Sequence, residues 1–215
     1  MNILFLGAPG CGKGTQAKAI IKKFSIPQIS TGDLLRSEIK AESELGMEIK
    51  NIISTGNFVS DEIVLKLVSN KLKSNECKNG FILDGFPRNL TQAKHLDQLF
   101  LELSLKLNYV FLIDVPFDLL IKRCVGRITC NACGYISNSN YTDMKENDIC
   151  PKCEKGHFTK REDDNEETVK NRLSVYQEQT QPIIDFYKEK NILHSIVGGE
   201  GPAIELTNQI FDILP

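Results

Sequence analysis

The sequence is poor in arginine, has little net charge and lacks long apolar runs. The formal net charge is only -2 at pH 7, so no global basic field would attract nucleic acid or an anionic membrane. No stretch approaches the roughly 18 consecutive apolar residues of a membrane-spanning helix. We therefore expect a soluble protein that binds neither nucleic acid nor membrane, with any phosphate bound by locally arranged groups.

The first residues also lack the features of an export signal. The apolar segment 2–6 is short, has no basic residues before it and runs directly into glycines, which predicts a strand rather than a targeting sequence. The chain has seven cysteines, an odd number. Without an export signal, this pattern predicts thiols and metal ligands rather than a disulfide framework. We expect a cytoplasmic protein.

Arginine is scarce beside lysine, with six residues against twenty. The planar guanidinium group binds phosphate through two hydrogen bonds, whereas the lysine ammonium group offers a point charge. The few arginines are therefore candidate phosphate contacts, with surface salt bridges as the alternative. They are Arg36, Arg88, Arg123, Arg127, Arg161 and Arg172.

Short apolar runs alternate with stretches long enough for helices. The runs cover residues 3–6, 28–29, 81–83, 109–113 and 192–196. Continuous apolar strands separated by helices predict an α/β fold in three layers around a central parallel five-stranded sheet. In such folds ligands bind at the carboxyl ends of the strands.

The spacing of apolar residues also predicts helices, and two segments interrupt the alternation of strands and helices. Helices are predicted at 16–24, 168–187 and 203–214. Residues 30–59 offer only short helices, and residues 127–163 are rich in Asn, Cys, Asp and Lys. Both segments break the alternation of strand and helix, so we expect them to be insertions.

A glycine-rich loop at residues 7–15 follows the first strand and precedes a helix. Glycines allow successive backbone N–H groups to point into one concavity, the helix N-terminus adds positive charge, and Lys13 reaches the transferred phosphate. The alternative is a simple strand-to-helix turn. Gly14 separates Lys13 from Thr15, whereas the general phosphate-loop pattern has Ser or Thr directly after Lys.

Four cysteines form two C-x-x-C pairs, Cys130 with Cys133 and Cys150 with Cys153. Their separation is typical of a zinc ribbon, and this polar segment has too few apolar residues to fold without a metal. The alternative is four unconnected thiols. The other cysteines and the histidines are isolated and are expected to be packing or surface residues: Cys11, Cys77, Cys124, His95, His157 and His194.

Several ordered motifs together resemble the adenylate kinases, within the nucleoside monophosphate kinases, in their form with a long zinc-binding lid. The motifs are the GKGT variant at 12–15 and the segments 30–36, 84–88, 114–116 and 161–168, with Arg123, Arg127 and Arg172. They extend over nearly the whole chain. The resemblance implies a phosphate-loop core domain at 1–29, 60–126 and 164–215, a helical AMP-binding domain at 30–59, and a zinc-ribbon-like lid domain at 127–163.

The resemblance also implies the site residues. For ATP they would be Gly10, Cys11, Gly12, Lys13, Gly14, Thr15, Arg123, Arg127, Tyr135, Ile136 and Gly201. For AMP they would be Thr31, Arg36, Asn57, Phe58, Val59, Gly85, Phe86, Pro87, Arg88, Gln92, Arg161 and Arg172. The catalytic groups would be Lys13, Asp84, Arg88, Arg123, Arg161 and Arg172.

The implied reaction is reversible transfer of the γ-phosphoryl group from ATP to AMP, giving two ADP. The phosphate of AMP is already an anionic nucleophile, so positioning and charge stabilisation suffice. Asp84 would hold Mg²⁺ through water, with a helix-capping role as the alternative, and the zinc would be structural. Asp163 and Asp164 would either steer the lid arginines or form a solvated acidic run. The resemblance favours a monomer.

Two alternatives remain. One is a nucleoside monophosphate kinase that uses another base, such as UMP or CMP as acceptor or GTP as donor. The long cysteine-bearing segment argues against UMP or CMP, while Thr31 and Gln92 match the adenine-selecting pattern. The other is a nucleotide-dependent switch whose zinc ribbon binds nucleic acid. The near-zero net charge argues against this switch.

Overall fold

The computed structural model describes residues 1–41, 44–54, 57 and 59–215. Within them, five parallel strands form a central sheet in the order β2-β3-β1-β4-β8. The strands are β1 (Asn2–Leu6), β2 (Gln28–Ser30), β3 (Phe81–Asp84), β4 (Tyr109–Asp114) and β8 (Leu193–Val197). The predicted fold class is confirmed.

Helices cover both faces of this sheet, and the two faces of β1 show why. Leu4 and Leu6 lie in one apolar core, and Ile3 and Phe5 lie in the other. Successive strand side chains point to opposite faces, so an unbroken apolar run requires a helical layer on each side. The helices are α1 (Lys13–Phe24), α2 (Thr31–Lys40), α3 (Glu44–Ser54), α4 (Asp61–Leu72), α5 (Leu90–Glu102), α6 (Phe117–Val125), α7 (Glu166–Val175), α8 (Ile183–Glu189) and α9 (Ala203–Phe211).

The prediction of one continuous helix over 168–187 is wrong. Helix α7 ends at Val175, a π-helical turn follows at Tyr176–Thr180, and α8 starts at Ile183. Pro182 precedes α8 and has no N–H to donate to the preceding turn. The helical spacing of the side chains continues through this region, so spacing alone did not reveal the break.

The two predicted insertions differ in structure. Residues 30–59 contain helices α2 and α3. Residues 127–163 contain a three-stranded antiparallel sheet in the order β6-β5-β7, formed by β5 (Arg127–Cys130), β6 (Ile136–Asn138) and β7 (Phe158–Thr159). Its apolar core is small and includes two of the four clustered cysteines, Cys130 and Cys150. None of the helices in the described part of the chain is long and apolar enough to cross a membrane.

Candidate active site

A cleft of about 910 Å³ opens at the carboxyl ends of the central strands. Strand β1, which carries the glycine-rich loop, lies between β3 and β4. Strands β2 and β3 lie on one side of β1, and the later strands β4 and β8 lie on the other. Ligands bind at such a reversal of the strand order in this class of fold. The predicted site residues that line the cleft are Gly10, Cys11, Gly12, Lys13, Gly14, Thr15, Arg36, Asn57, Val59, Asp84, Gly85, Pro87, Arg88, Arg123, Arg127, Tyr135, Ile136, Arg161, Arg172 and Gly201.

The glycine-rich loop closes tightly around the lysine ammonium group. Lys13 Nζ donates to the carbonyl oxygens of Gly7 at 2.7 Å and Ala8 at 3.0 Å. Gly7 has a φ of +139°, and a Cβ there would lie 2.6 Å from the carbonyl oxygen of Ile113, so only glycine fits this position. The ammonium group is thus held over the loop at the N-terminus of α1, where a phosphate would bind.

Asp84 faces this loop from the end of β3. Its Oδ2 accepts a hydrogen bond of 2.8 Å from Gln28 Nε2 and would lie 3.9 Å from a Cβ placed on Gly14. The carboxylate therefore stands beside the phosphate loop. Its position in the cleft and its bond to Gln28 do not match the alternative role of a helix cap.

Asp163 and Asp164 hold two of the arginines. Asp164 is fully buried and accepts bonds from Arg127 Nε at 2.7 Å and Arg127 Nη2 at 2.5 Å. Arg172 Nη1 lies 2.8 Å from Asp163 Oδ2 and 3.4 Å from Asp164 Oδ1. The two aspartates are therefore not a solvated acidic run but orient arginines toward the cleft.

These ion pairs shift the pKa values of Asp163 and Arg127 in opposite directions. Burial acts to raise the pKa of Asp163, but the positive charges of Arg172, Arg127 and Arg161 outweigh it and hold that pKa below its usual value. Burial acts to lower the pKa of Arg127, but its hydrogen bonds and attraction to Asp164 raise the pKa above its usual value.

Arg88 and Arg161 behave in the opposite way. Removal from bulk water, together with the like charge of Arg172, lowers the pKa of Arg88 to about 10. Removal from water, together with the charges of Arg127 and Arg36, lowers the pKa of Arg161 to about 10. The surroundings thus disfavour these cations in the free protein. A bound anion would reverse this effect.

A small recess adjoins the cleft on the side of α2 and α5. Thr31 and Gln92 line it together with Leu35, Val59 and Arg88, and these last three also line the cleft. Thr31 Oγ1 donates to the carbonyl oxygen of Gly85 at 2.7 Å. The recess has a volume of only about 10 Å³, which is room for about one water-sized group. It combines apolar walls with a hydroxyl and an amide, so it could take one exocyclic group of a base that lies in the cleft.

Two predicted AMP residues stand apart from this arrangement. Phe58 lies outside the described residues. Phe86 is fully buried in the apolar core against the sheet and, unlike its described neighbours Gly85, Pro87 and Arg88, does not line the cleft. Its side chain anchors the segment 84–88 to the core, which keeps its neighbours at the cleft wall.

The four predicted metal ligands lie together at one end of the small sheet. Cys130 Sγ is 3.7 Å from Cys153 Sγ, and Cys133 Sγ is 3.7 Å from Cys150 Sγ. All four sulfur atoms lie within 4.8 Å of one another. Four thiolates at about 2.3 Å from a tetrahedral Zn²⁺ would be separated by about 3.8 Å. Backbone hydrogen bonds from Lys155 and Gly156 lower the pKa of Cys153 to about 6, which favours the thiolate that binds metal. A backbone hydrogen bond acts to lower the pKa of Cys133, but burial and the neighbouring cysteines outweigh it and raise that pKa to about 11, so the support for a metal here comes from the spacing of the sulfur atoms.

Comparison with known proteins identifies the family. A family model described as adenylate kinase matches residues 5–192. The adenylate kinase of Thermodesulfovibrio yellowstonii is 50% identical over 214 residues, covering 100% of this chain and 99% of the relative. That of Caldicellulosiruptor saccharolyticus is 46% identical over 214 residues, with the same coverage. That of Archaeoglobus fulgidus is 46% identical over 198 residues, covering 92% of this chain and 91% of the relative.

The chain belongs to the adenylate kinase family. It is therefore a phosphotransferase, and its reaction is phosphoryl transfer from ATP to AMP. This confirms the family and the activity predicted from the motifs. For an adenylate kinase, an arginine-lined cleft beside a phosphate loop is the expected place for two nucleotides whose phosphates meet.

Sequence analysis missed several residues that hold this adenylate kinase cleft together. Thr180 Oγ1, in the π-helical turn, donates to the carbonyl oxygen of Arg88 at 2.7 Å. Gln28 binds Asp84, and Lys18 Nζ donates to the carbonyl oxygen of Gly134 in the cysteine segment. Each contact joins segments far apart in the chain, and Thr180, Gln28 and Lys18 themselves belong to none of the motifs. The π-helical turn, a feature often found at functional sites, was hidden within an ordinary helical pattern.

Proposed function

We propose that ATP and AMP bind on opposite sides of the cleft and that the γ-phosphoryl group passes directly between them. ATP would lie along the glycine-rich loop, and AMP would lie between Arg36, Arg88 and the recess. The observation that carries this proposal is that the glycine-rich loop and all six arginines of the chain line one cleft. Guanidinium groups gathered beside a phosphate loop are suited to a polyanionic ligand, and the lowered pKa values of Arg88 and Arg161 agree with this.

The chain's own residues would act by positioning and charge. Arg88 and Arg172 would orient the attacking AMP phosphate, while Lys13 and Arg123 would hold the phosphates of ATP. Since the acceptor oxygen is already anionic at neutral pH, the proposed reaction requires no general base. The fixed guanidinium groups would oppose the repulsion between two polyanions and stabilise charge in the transition state.

Magnesium fits beside the loop. Asp84 offers a carboxylate next to Gly14, and Thr15 offers a hydroxyl in the same cleft. Oxygen ligands of this kind suit Mg²⁺, which commonly keeps most of its waters. When bound with ATP, magnesium supplies neutralisation of the phosphate charge. Gln28, through its bond to Asp84, would orient the carboxylate.

We also propose that the four cysteines bind a structural Zn²⁺. The sulfur spacing fits a tetrahedral ion, and four thiolates leave no open position for water or substrate. Residues 127–163 would then form a lid, residues 30–59 an AMP-binding domain, and residues 1–29, 60–126 and 164–215 the core. The seven cysteines are all free, which suits a reducing compartment and supports a cytoplasmic location. A monomeric state is proposed from family resemblance.

The test is a coupled assay of purified protein with each nucleoside monophosphate against ATP and against GTP. ATP with AMP should give the highest kcat/KM. A higher value with GTP as donor, or with UMP, CMP or GMP as acceptor, would contradict the proposed base preferences. Metal content measured on the same sample should give one zinc per chain, and mass measurement in solution should give a monomer.

A further inference from the structure

The amide group of Gln92 is held in a single orientation. Its Nε2 donates to Asp61 Oδ1 at 2.6 Å, and its Oε1 accepts from the backbone N–H of Arg88 at 2.7 Å. Gln92 is 2% exposed and lines the recess beside the cleft. Both polar ends of this buried side chain thus have a partner within the protein.

The chemistry of these partners allows no exchange of the two ends. A carboxylate only accepts hydrogen bonds, and a backbone N–H only donates. A half-turn of the Gln92 amide would set its oxygen against the Asp61 carboxylate and its NH₂ group against the Arg88 N–H. Both contacts would become repulsive, and two buried polar groups would lose their partners.

Asp61 is itself fixed in place. It is the first residue of α4, and Asn89 Nδ2 lies 3.1 Å from its Oδ1 and 3.2 Å from its Oδ2. Asn89 also caps α5, where its Oδ1 accepts from the backbone N–H of Gln92 at 2.8 Å. Asp61 therefore cannot follow Gln92 if the amide turns.

A fixed amide can distinguish purines by the groups at their six-position. Each end of Gln92 retains one more hydrogen-bonding site, because the NH₂ group has a second hydrogen and the oxygen a second lone pair. Adenine presents an amino donor beside the acceptor N1, whereas hypoxanthine and guanine present a carbonyl acceptor beside the donor N1–H. A freely turning amide would suit both patterns. A locked amide suits only one.

We propose that Asp61 is a specificity-determining positioning residue, which locks the Gln92 amide so that the recess accepts the amino group of a 6-aminopurine and rejects the carbonyl group of a 6-oxopurine. This inference rests on the proposed binding of the AMP base in the cleft beside the recess. Asp61 does not touch the base; it acts through Gln92. The apolar walls formed by Leu35, Val59 and Val64 offer a mismatched base no alternative hydrogen-bond partner.

The test is the substitution Asp61→Asn, with AMP compared against IMP, which differs at the six-position without adding bulk. The introduced amide could present either its oxygen or its NH₂ group to Gln92, so the penalty for turning the Gln92 amide falls. The ratio of kcat/KM for AMP to that for IMP should fall about tenfold, or about 1.4 kcal/mol in discrimination. The KM for ATP should stay within about twofold, since a change of that size corresponds to only about 0.4 kcal/mol.

Glu62→Gln is the matched control. It removes one carboxylate charge from the same first turn of α4, but Glu62 is exposed and the change leaves Asp61, Asn89 and Gln92 as they are. This variant should keep the wild-type ratio of AMP to IMP. Calorimetric binding of AMP and IMP without any donor, together with thermal unfolding, should be measured for both variants.

The outcomes distinguish a failure of the Asp61 role from a failure of the proposed placement of the AMP base. An unchanged ratio in Asp61→Asn, or an equal fall in both variants, would overturn the role of Asp61. Equal losses for AMP and IMP in Asp61→Asn would show a general structural effect and would also overturn it. If the wild-type protein itself did not prefer AMP to IMP, the proposed placement of the AMP base would fail, and the specificity role with it.

Discussion

Replacing Asp164 by Asn should weaken both the fold and the reaction, because one buried carboxylate orients two arginines of the cleft. The side chain is fully buried and binds Arg127 at 2.7 and 2.5 Å and Arg172 at 3.4 Å. Asparagine keeps the shape but removes the charge. Its amide offers a single acceptor oxygen, so Arg127 loses half of its two-point contact.

The expected loss of stability follows from the burial of the Asp164–Arg127 ion pair. Removing one partner of a buried ion pair typically costs about 3–5 kcal/mol. The Arg127 side chain retains 16% exposure toward a cleft open to solvent, which screens the remaining charge, so we expect a loss near the lower end, about 3 kcal/mol. For a chain of this size each kcal/mol shifts Tm by about 2–4 °C, which gives a fall of roughly 6–12 °C.

The reaction should suffer separately from the stability. Arg127 would lose its anchor, while Arg172 would keep its closer contact with Asp163 and lose only the longer one with Asp164. A misplacement of about 1 Å at a reacting centre can cost roughly a hundredfold in rate. Thermal unfolding and steady-state kinetics, the latter well below the lowered Tm, should be measured on the same preparation. Glu166→Gln is the matched control, because its pair with Lys170 is about 60% exposed on both sides and should contribute no measurable stability.

Two results would refute this reasoning. A Tm equal to that of wild type would show that the Asp164 pair does not stabilise the folded chain. An unchanged kcat together with the full expected fall in Tm would show that the arginines keep their positions without the carboxylate.

Saturation with a compound that joins two adenosines through a polyphosphate should narrow the Tm difference between Asp164→Asn and the wild type, since its phosphates supply the missing negative charge beside Arg127 and Arg172.

Arg88→Lys should retain the fold but lose roughly a hundredfold in kcat/KM, because lysine lacks the planar guanidinium group whose two hydrogen bonds orient the attacking phosphate. A loss in kcat/KM of less than about threefold, or some 0.6 kcal/mol, would contradict the role of Arg88. Cys150→Ser, or removal of zinc by a chelator, should lower Tm while measurable phosphotransfer persists at moderate temperature, because Lys13, Arg36 and Arg88 belong to other segments. Zinc content, thermal unfolding and ADP formation should be measured on the same sample. Complete loss of activity in an otherwise folded protein would contradict a structural metal. Asp163→Asn should destabilise the protein at neutral pH but not in acid: the folded pKa of Asp163 is lowered from about 3.8, so its contribution is present above that value and disappears as pH falls through the folded pKa. Urea unfolding of both proteins from pH 7 to pH 3 checks this, and a difference independent of pH would exclude the ion pair as its cause.

The parts of the site that the sequence predicted are those with local causes. The phosphate loop is one continuous segment whose glycines adopt positive φ, as at Gly7, Gly10 and Gly12, so its geometry is largely determined within nine residues. The two C-x-x-C pairs are local in the same way. Asp84 was predicted through the resemblance of the motif 84–88, which directly follows an apolar strand, and parallel strands place their carboxyl ends at the same edge.

The parts that the sequence did not predict depend on contacts between distant segments. Thr180 and Arg88 are 92 residues apart and meet only through the π-helical turn. Asp61 and Gln92 are 31 residues apart and lie in none of the motifs, so the sequence does not show how the Gln92 amide is oriented. Phe86 was grouped with its neighbours by sequence, although its side chain points into the core.

The arginines of the cleft fall into two groups by their surroundings. Asp163 and Asp164 form ion pairs with Arg127 and Arg172, while removal from water lowers the pKa values of Arg88 and Arg161 to about 10. Both of these guanidinium groups stay charged at neutral pH, so their desolvation is a cost that the free protein carries. A polyanion bound in the cleft would reduce this cost, and saturating nucleotide should therefore raise Tm.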